Sequence, residues 1–176
     1  FATYSGEMAA SLLILGAKVE LLSAAGARTL PLAEFFDEDG IVRFRDRKED
    51  ELVVAVHIPE EAEQLSCGYR KLAIRDSIDF PSLGLALGLR INKRGVIEDL
   101  RLATTAMASR PELLDEPMAE FIGQQASAQL AFRIGEVAQK ASVAYRNVPL
   151  DPKYRRKMVA VFTRRLLEAI SPAFAN

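Results

Sequence analysis

Apolar residues at the start of the chain follow first a helical and then an alternating pattern. Residues 7–16 are rich in helix formers, carry Glu7 in the first turn and end at Gly16, which predicts a short buried helix. Alternating apolar residues at 19–21 and 29–32 lie on either side of a glycine turn, so they predict a β-hairpin. These elements form a first unit that ends near Phe36.

The middle of the chain carries the signals of four strands. The β-branched run at 52–59 predicts a strand that opens a second unit, and another strand is predicted at 69–74. Residues 82–92 alternate large and small side chains, and alternation resumes at 100–104 after a tight turn at 93–95. The last two runs predict a long antiparallel hairpin.

One face of this hairpin is nearly bare. Gly84, Ala86 and Gly88 occupy alternate positions between leucines. Because such small residues leave room above a strand, we expect a helix or another strand to approach this face closely.

Helical periodicity follows the strands. Leu130, Ile134, Val137 and Ala141 share one helical face, and a second helix is predicted from Asp151, a good N-cap, to about residue 170. The fold class is therefore α+β, with an antiparallel sheet followed by helices.

A change in composition predicts where the two units divide. Residues 37–51 are rich in acidic and basic side chains, which is typical of a solvated connection between packed units. We predict a boundary near Lys48, with domains at 1–48 and 49–176.

Composition narrows the class of protein. The 176 residues are 49% hydrophobic, enough to form a packed core, and 23 basic against 24 acidic residues leave a formal charge of -1. Neither nucleic acid nor an anionic membrane is therefore an expected partner. The longest apolar run, 9–17, is too short to cross a bilayer, and no leader pattern is present, so we expect a cytoplasmic protein.

The single histidine and the single cysteine offer little catalytic or metal chemistry. His57 lies within a predicted strand and is expected at a half-exposed position, and Cys67 is expected to be a small packed side chain. No disulfide, metal site or catalytic residue is predicted.

The candidate binding residues lie on the strand predicted at 69–74. Tyr69 and Lys71 are two positions apart, so they project from one face of a strand. A phenol ring and an ammonium group on one surface suit an aromatic, anionic ligand. The alternative is an exposed strand whose lysine is simply solvated.

A series of segments in a fixed order carries a family resemblance. These segments are residues 2–7, 15–21, 28–32, 35–36, 51–59, 69–71 and 154–158. Together they resemble the FAD-binding subunit of the molybdenum hydroxylases. Residues 2–6 and 74–81 are most similar to the flavin subunit of 4-hydroxybenzoyl-CoA reductase, with xanthine or carbon monoxide dehydrogenase as the alternative branch.

The resemblance implies a cofactor, partners and site residues. In that family the subunit binds FAD in a two-part domain followed by an α+β domain, and exchanges electrons with an iron-sulfur subunit and a molybdenum-cofactor subunit. Lys71 occupies the position of a flavin-contacting lysine, Tyr69 that of an aromatic beside the flavin ring, and Val53 that of a residue lining the cleft. Glu7 stands where the family commonly has an aspartate near the ribityl chain.

The resemblance also implies that part of the cofactor site lies elsewhere. The family's glycine-rich pyrophosphate loops, and the cysteines of an additional iron-sulfur cluster in the reductase branch, precede the position of Phe1. We therefore expect an upstream segment of the same protein as a further partner, and only weak or absent FAD binding and no activity by residues 1–176 alone. The remaining alternative is a non-catalytic subunit-interaction module without cofactor.

Overall fold

A helix and a hairpin open the fold, as the hydrophobic pattern predicts. The computed structural model describes residues 3–38, 48–76, 78–146 and 149–175. Its first elements are α1 (Glu7–Ile14), β1 (Lys18–Ser23), β2 (Gly26–Pro31) and the short α2 (Leu32–Phe35). Gly16, two residues after the end of α1 at Ile14, adopts φ 67°. This left-handed conformation suits glycine and is typical of the residue that ends a helix.

The next strand belongs to the first sheet. β3 (Leu52–His57) pairs antiparallel with β1, giving a three-stranded sheet in the order β2-β1-β3. The strand predicted to open the second unit therefore lies in the first sheet, where β2 pairs with one edge of β1 and β3 with the other. The predicted boundary near Lys48 lies between β2 and β3 of this sheet, and the chain passes to the second sheet through a 3₁₀ turn at Glu60–Gln64. The charged connection predicted at 37–51 falls largely on residues 39–47, outside the described residues.

The second sheet has four antiparallel strands. These are β4 (Ser66–Leu72), β5 (Leu83–Ile91), β6 (Ile97–Thr105) and β7 (Glu112–Leu113), in that spatial order. The predicted long hairpin is confirmed as β5 and β6. The two-residue β7 was too short to leave a sequence pattern.

Three α-helices follow the second sheet in the part of the chain that the structure describes. They are α3 (Asp115–Met118), α4 (Ala128–Ala141) and α5 (Pro152–Ile170). Asp151 caps α5 as predicted, because its carboxylate accepts hydrogen bonds from the backbone N–H groups of Lys153 and Tyr154. Among the described residues, no helix has the length and apolar character needed to cross a bilayer.

The second sheet is packed on both faces. Leu83, Leu85, Leu87 and Leu89 of β5 face α4 and α5 in one hydrophobic core. On the bare face, α1 packs against Ala86 of β5 and Ala103 of β6 in a second core. The α+β class and the close approach of a helix are therefore confirmed, and α1 joins the first sheet to the second.

Candidate functional site

The first residue of α1 meets two side chains of β4. The Nζ atom of Lys71 lies 2.6 Å from Oε1 of Glu7, forming an ion pair. The hydroxyl of Tyr69 donates to Oε2 of the same carboxylate at 3.4 Å. The structure therefore brings together three of the four residues that the sequence points to, although 62 to 64 positions separate Glu7 from the other two.

A missing side chain makes room for this cluster. Tyr69 pairs with Ala86, and Lys71 pairs with Gly84, so all four share the face that α1 covers. A Cβ atom on Gly84 would collide with the Tyr69 hydroxyl and lie 2.6 Å from Cγ2 of Thr105. Glycine at this position is therefore needed to let the phenol reach Glu7.

The loop after β4 supplies a further contact to Lys71. The backbone carbonyl of Asp79 accepts a short hydrogen bond from the Lys71 ammonium. The Asp79 carboxylate accepts hydrogen bonds from the backbone N–H groups of Ile74, Arg75 and Phe80 and from the Arg75 guanidinium. This carboxylate thus folds the loop into the shape that presents its carbonyl to Lys71.

Charges in the site are fixed by these contacts. The hydrogen bond from the Arg75 side chain, above all, holds the pKa of Asp79 below its usual value, so this carboxylate is ionised at neutral pH. Burial, reinforced by the charge and hydrogen bond of Glu7, raises the pKa of Tyr69. The phenol therefore keeps its proton and remains a donor at physiological pH.

A cleft of about 410 Å³ borders this cluster. It is lined by Ser5, Gly6, Glu7, Arg75, Ile78, Asp79 and Phe80. Phe80 and Ile78 are 78% and 98% exposed, an unusual position for large apolar side chains. Lys71 contacts two lining residues, Glu7 and Asp79, so an apolar wall and a fixed cation lie side by side.

The ion pair contributes little to stability. The side chain of Lys71 is 29% exposed and that of Glu7 40%, and partly exposed pairs are typically worth under about 1 kcal/mol. Of the three N–H donors on the ammonium, Glu7 and Asp79 use two among the described residues. The third has no hydrogen-bond partner among the described residues.

The other residues singled out in the sequence lie away from this cluster. Val53 is on β3 of the first sheet, 48% exposed and paired with Leu21, so its predicted place in the cleft stays a prediction. His57 is exposed at the end of β3, with Nε2 2.6 Å from Oε2 of Glu20. Cys67 is exposed on β4, so the prediction that it is packed is wrong; the edge position of β4 in the sheet leaves it uncovered.

Sequence reasoning missed the lining role of Asp79 and Phe80. Both lie in the segment 74–81 that supported the family resemblance, but a loop has no periodicity that shows where its side chains point. The usable signal was an aspartate followed by a Phe-Pro pair soon after the Tyr-x-Lys strand.

Chains of solved structures have the same fold as this chain. Carbon monoxide dehydrogenase from Hydrogenophaga pseudoflava superposes with a TM-score of 0.84 at 20% identity, covering 96% of this chain and 57% of that one. Quinoline 2-oxidoreductase from Pseudomonas putida 86 gives a TM-score of 0.83 at 21% identity, covering 99% and 59%. The two likenesses establish a shared fold over almost the whole chain.

Two protein families match successive parts of the chain. Residues 68–170 match the family described as CO dehydrogenase flavoprotein C-terminal domain, and residues 1–61 match the FAD binding domain in molybdopterin dehydrogenase. The chain belongs to this family of FAD-binding subunits of molybdenum hydroxylases.

Relatives in this family are longer than the chain. The xanthine dehydrogenase FAD-binding subunit of Escherichia coli O157:H7 is 33% identical over 108 residues, which is 61% of this chain and 36% of the relative. The glyceraldehyde dehydrogenase medium chain of Sulfolobus acidocaldarius is 26% identical over 174 residues, 95% of this chain and 57% of the relative. The matched parts thus span 36% to 57% of the length of these relatives.

Proposed function

We propose that the cleft at the start of α1 holds the flavin end of FAD, and that this chain is part of an electron-transfer flavoprotein subunit. The observation that carries the proposal is the convergence of Glu7, Tyr69 and Lys71 beside an apolar-walled cleft. The ion pair adds little to stability, so its placement at a cleft favours a binding role. The match of residues 1–61 to an FAD binding domain supports the same ligand.

The donor set fits the chemistry of a flavin. Bound FAD supplies reversible acceptance and release of electrons. The free N–H of Lys71 donates to a ring oxygen or nitrogen, as a charge-assisted hydrogen bond. Glu7 has acceptor capacity left for a ribityl hydroxyl. Phe80 and Ile78 offer apolar surface to the flat ring and exclude water from it.

The fit covers only one end of the cofactor. The sequence contains no glycine-rich phosphate loop, so the diphosphate has no evident cradle of backbone amides in this chain. We propose that another segment of the full-length protein binds the diphosphate, and that Val53 lines the cleft once that segment is in place.

The partners of the subunit follow from the family. We propose that it works in the cytoplasm with an iron-sulfur subunit and a molybdenum-cofactor subunit, exchanging electrons between its flavin and their centres. Co-purification of a tagged full-length protein with both subunits, and with their metals, tests this assembly. Isolation of the tagged protein alone from cells that produce all three would contradict it.

The reaction of the complex is a separate proposal. The similarity of residues 2–6 and 74–81 to the 4-hydroxybenzoyl-CoA reductase branch supports a reductase of that kind, with a xanthine or carbon monoxide dehydrogenase-type complex as the alternative. Assay of the purified complex with 4-hydroxybenzoyl-CoA, xanthine and carbon monoxide in parallel separates these branches. Turnover of xanthine or carbon monoxide without any reduction of 4-hydroxybenzoyl-CoA would reject the reductase.

Replacement of Lys71 tests the flavin site itself. Lys71→Met removes one charge-assisted hydrogen bond to the ligand, worth about 1.5 to 3 kcal/mol, so FAD affinity should fall about ten- to hundredfold. Lys140→Met, which removes an exposed lysine on α4, is the matched control and should leave affinity unchanged. Equal FAD dissociation constants for the two variants would remove Lys71 from the site.

A further inference from the structure

A buried arginine lies behind the cleft. Arg155, in the first turn of α5, is 0% exposed, although arginine is among the residues least often buried. No carboxylate among the described residues forms an ion pair with it. Its guanidinium instead donates to four backbone carbonyls, those of Ser82, Ala106, Tyr145 and Leu150.

Such an arrangement is costly unless every donor is used. Burial lowers the pKa of Arg155, yet the ordinary value for arginine is so high that the group stays charged. A buried cation without an anion is tolerated only when hydrogen bonds replace its water. The planar fork of arginine can reach several carbonyls at once, which the single ammonium of lysine cannot do in the same geometry.

One of these carbonyls, that of Ala106, connects Arg155 to the first wall of the cleft, which is formed by residues 5–7. Ala106 has φ 64°, a left-handed conformation that a residue with a Cβ adopts only when its surroundings impose it. The Arg155 guanidinium donates to the carbonyl of Ala106 at 2.9 Å, and the N–H of Ala106 donates to the carbonyl of Tyr4 at 2.8 Å. The hydroxyl of neighbouring Thr105 donates to the carbonyls of Tyr4 and Gly6, the latter just before Glu7.

A second carbonyl, that of Ser82, connects Arg155 to the second wall of the cleft, which is formed by Arg75 and residues 78–80. Arg155 donates to the carbonyl of Ser82 at 3.2 Å. The N–H of Ser82 donates to the carbonyl of Leu72 at 2.7 Å, which closes the base of the loop that carries Asp79 and Phe80. The Arg155 guanidinium is thus hydrogen-bonded to Ala106, which holds the first wall, and to Ser82, which holds the second. The ion pair of Glu7 and Lys71 joins the same two parts of the chain.

We propose that Arg155 is a positioning residue for the flavin cleft, fixing the distance between the segment 4–7 and the loop residues 78–81 without touching the ligand. This inference rests on the function proposed above. Loss of the fork should leave the α4–α5 core folded while the two walls separate and Glu7 and Lys71 lose their alignment.

The test compares FAD affinity with stability in the full-length protein. Arg155→Lys keeps the charge and loses the fork, and should raise the FAD dissociation constant at least about tenfold. Leu167→Ala, a fully buried position on the same helix outside these contacts, is the control for lost stability. The melting temperature of Arg155→Lys should fall no more than that of Leu167→Ala. Even so, Arg155→Lys should weaken FAD binding, and Leu167→Ala should not.

Hydrogen exchange supplies a readout independent of FAD. In Arg155→Lys the amides of Tyr4 and Ala106 should exchange faster, with the amides of α4 unchanged. Faster exchange throughout the second sheet and helices, with affinity falling in step with melting temperature as in Leu167→Ala, would reduce Arg155 to a general core residue. Unchanged affinity and exchange would overturn the proposal outright.

A second variant covers failure of Arg155→Lys to fold. Thr105→Val removes the hydroxyl that binds Tyr4 and Gly6 at the other end of the same connection, and should likewise raise the FAD dissociation constant. Unchanged affinity in Thr105→Val would contradict the connection. If the wild-type protein does not bind FAD at all, the proposed function fails, and the exchange measurement still decides whether Arg155 holds the two walls.

Discussion

Adding one methyl group at Gly84 should distort the cluster of Glu7, Tyr69 and Lys71. In Gly84→Ala the new Cβ would overlap the Tyr69 hydroxyl and lie 2.6 Å from Cγ2 of Thr105. Neither neighbour can yield easily, because Tyr69 has a rigid ring and Thr105 is fully buried. The phenol must therefore move away from Glu7.

Gly88→Ala is a matched control on the same strand and the same face. Its Cβ would lie 3.5 Å from Sγ of Cys67 and 3.6 Å from Cδ1 of Ile14, which are ordinary contact distances. Both substitutions restrict the unfolded chain equally, a stabilising effect of about 0.4–1 kcal/mol. They differ only in what the methyl group meets in the folded state.

The magnitude follows from the overpacking. Forcing a methyl group into a filled site costs about 1–3 kcal/mol, so Gly84→Ala should be less stable than Gly88→Ala by roughly that amount. For a chain of this size each 1 kcal/mol lowers the melting temperature by about 2–4 °C. Thermal unfolding of the two variants, followed by circular dichroism, measures the difference, and FAD titration should show weaker binding only for Gly84→Ala. Equal melting temperatures and equal affinities would refute the packing argument.

Three further changes test other parts of the account. Glu51 is buried and accepts hydrogen bonds from Arg28 and from the backbone of Lys48, contacts that lower its pKa from 4.5 to about 2. Because the pKa is lower in the folded state, the ionised carboxylate stabilises the fold at pH values above 4.5, and this stabilisation is lost as the pH falls through about 2. Glu51→Gln should therefore lower the melting temperature at pH 7, and the difference from the wild type should shrink as the pH falls from 4.5 to about 2. A difference in melting temperature that does not depend on pH would contradict this. Asp151→Ala removes the cap of α5 and should cost about 1 kcal/mol in denaturant unfolding, whereas no change would show that the cap is dispensable. Gly88→Leu should overfill the contact with α1 and cost roughly 1–3 kcal/mol, and an unchanged melting temperature would mean that α1 does not cover this face.

Most of the second unit could be predicted from periodicity. The alternation through Gly84, Ala86 and Gly88 predicted both the strand and its close contact, because small side chains leave a visible gap in the pattern. The N-cap at Asp151 was equally legible, since capping is a local hydrogen bond between neighbours in sequence.

The partner of β3 could not be predicted in the same way. Strand pairing is a non-local choice, and the β-branched run at Leu52–His57 fits the edge of either sheet. The charged residues before it suggested a boundary between units, whereas β3 returns to pair with β1. Composition alone does not distinguish a linker from a long excursion within one sheet.

Only part of the candidate site was visible in the sequence. Tyr69 and Lys71 share a face because of strand geometry, which two-residue spacing predicts directly. The meeting of Lys71 with Glu7 depends on how α1 packs over the second sheet, and the family resemblance, not the pattern, placed Glu7 in the site. The carbonyl of Asp79 and the guanidinium of Arg155 act through backbone contacts that no sequence motif records.

The most direct test of the central claim is the flavin content of the purified full-length protein, measured by visible absorbance and by release of FAD on denaturation. We expect FAD bound in a one-to-one ratio to the chain, with Lys71→Met protein losing it on dilution and Lys140→Met protein retaining it. Wild-type protein that is folded, colourless and unable to take up added FAD would contradict the claim that Glu7, Tyr69 and Lys71 form part of a flavin site.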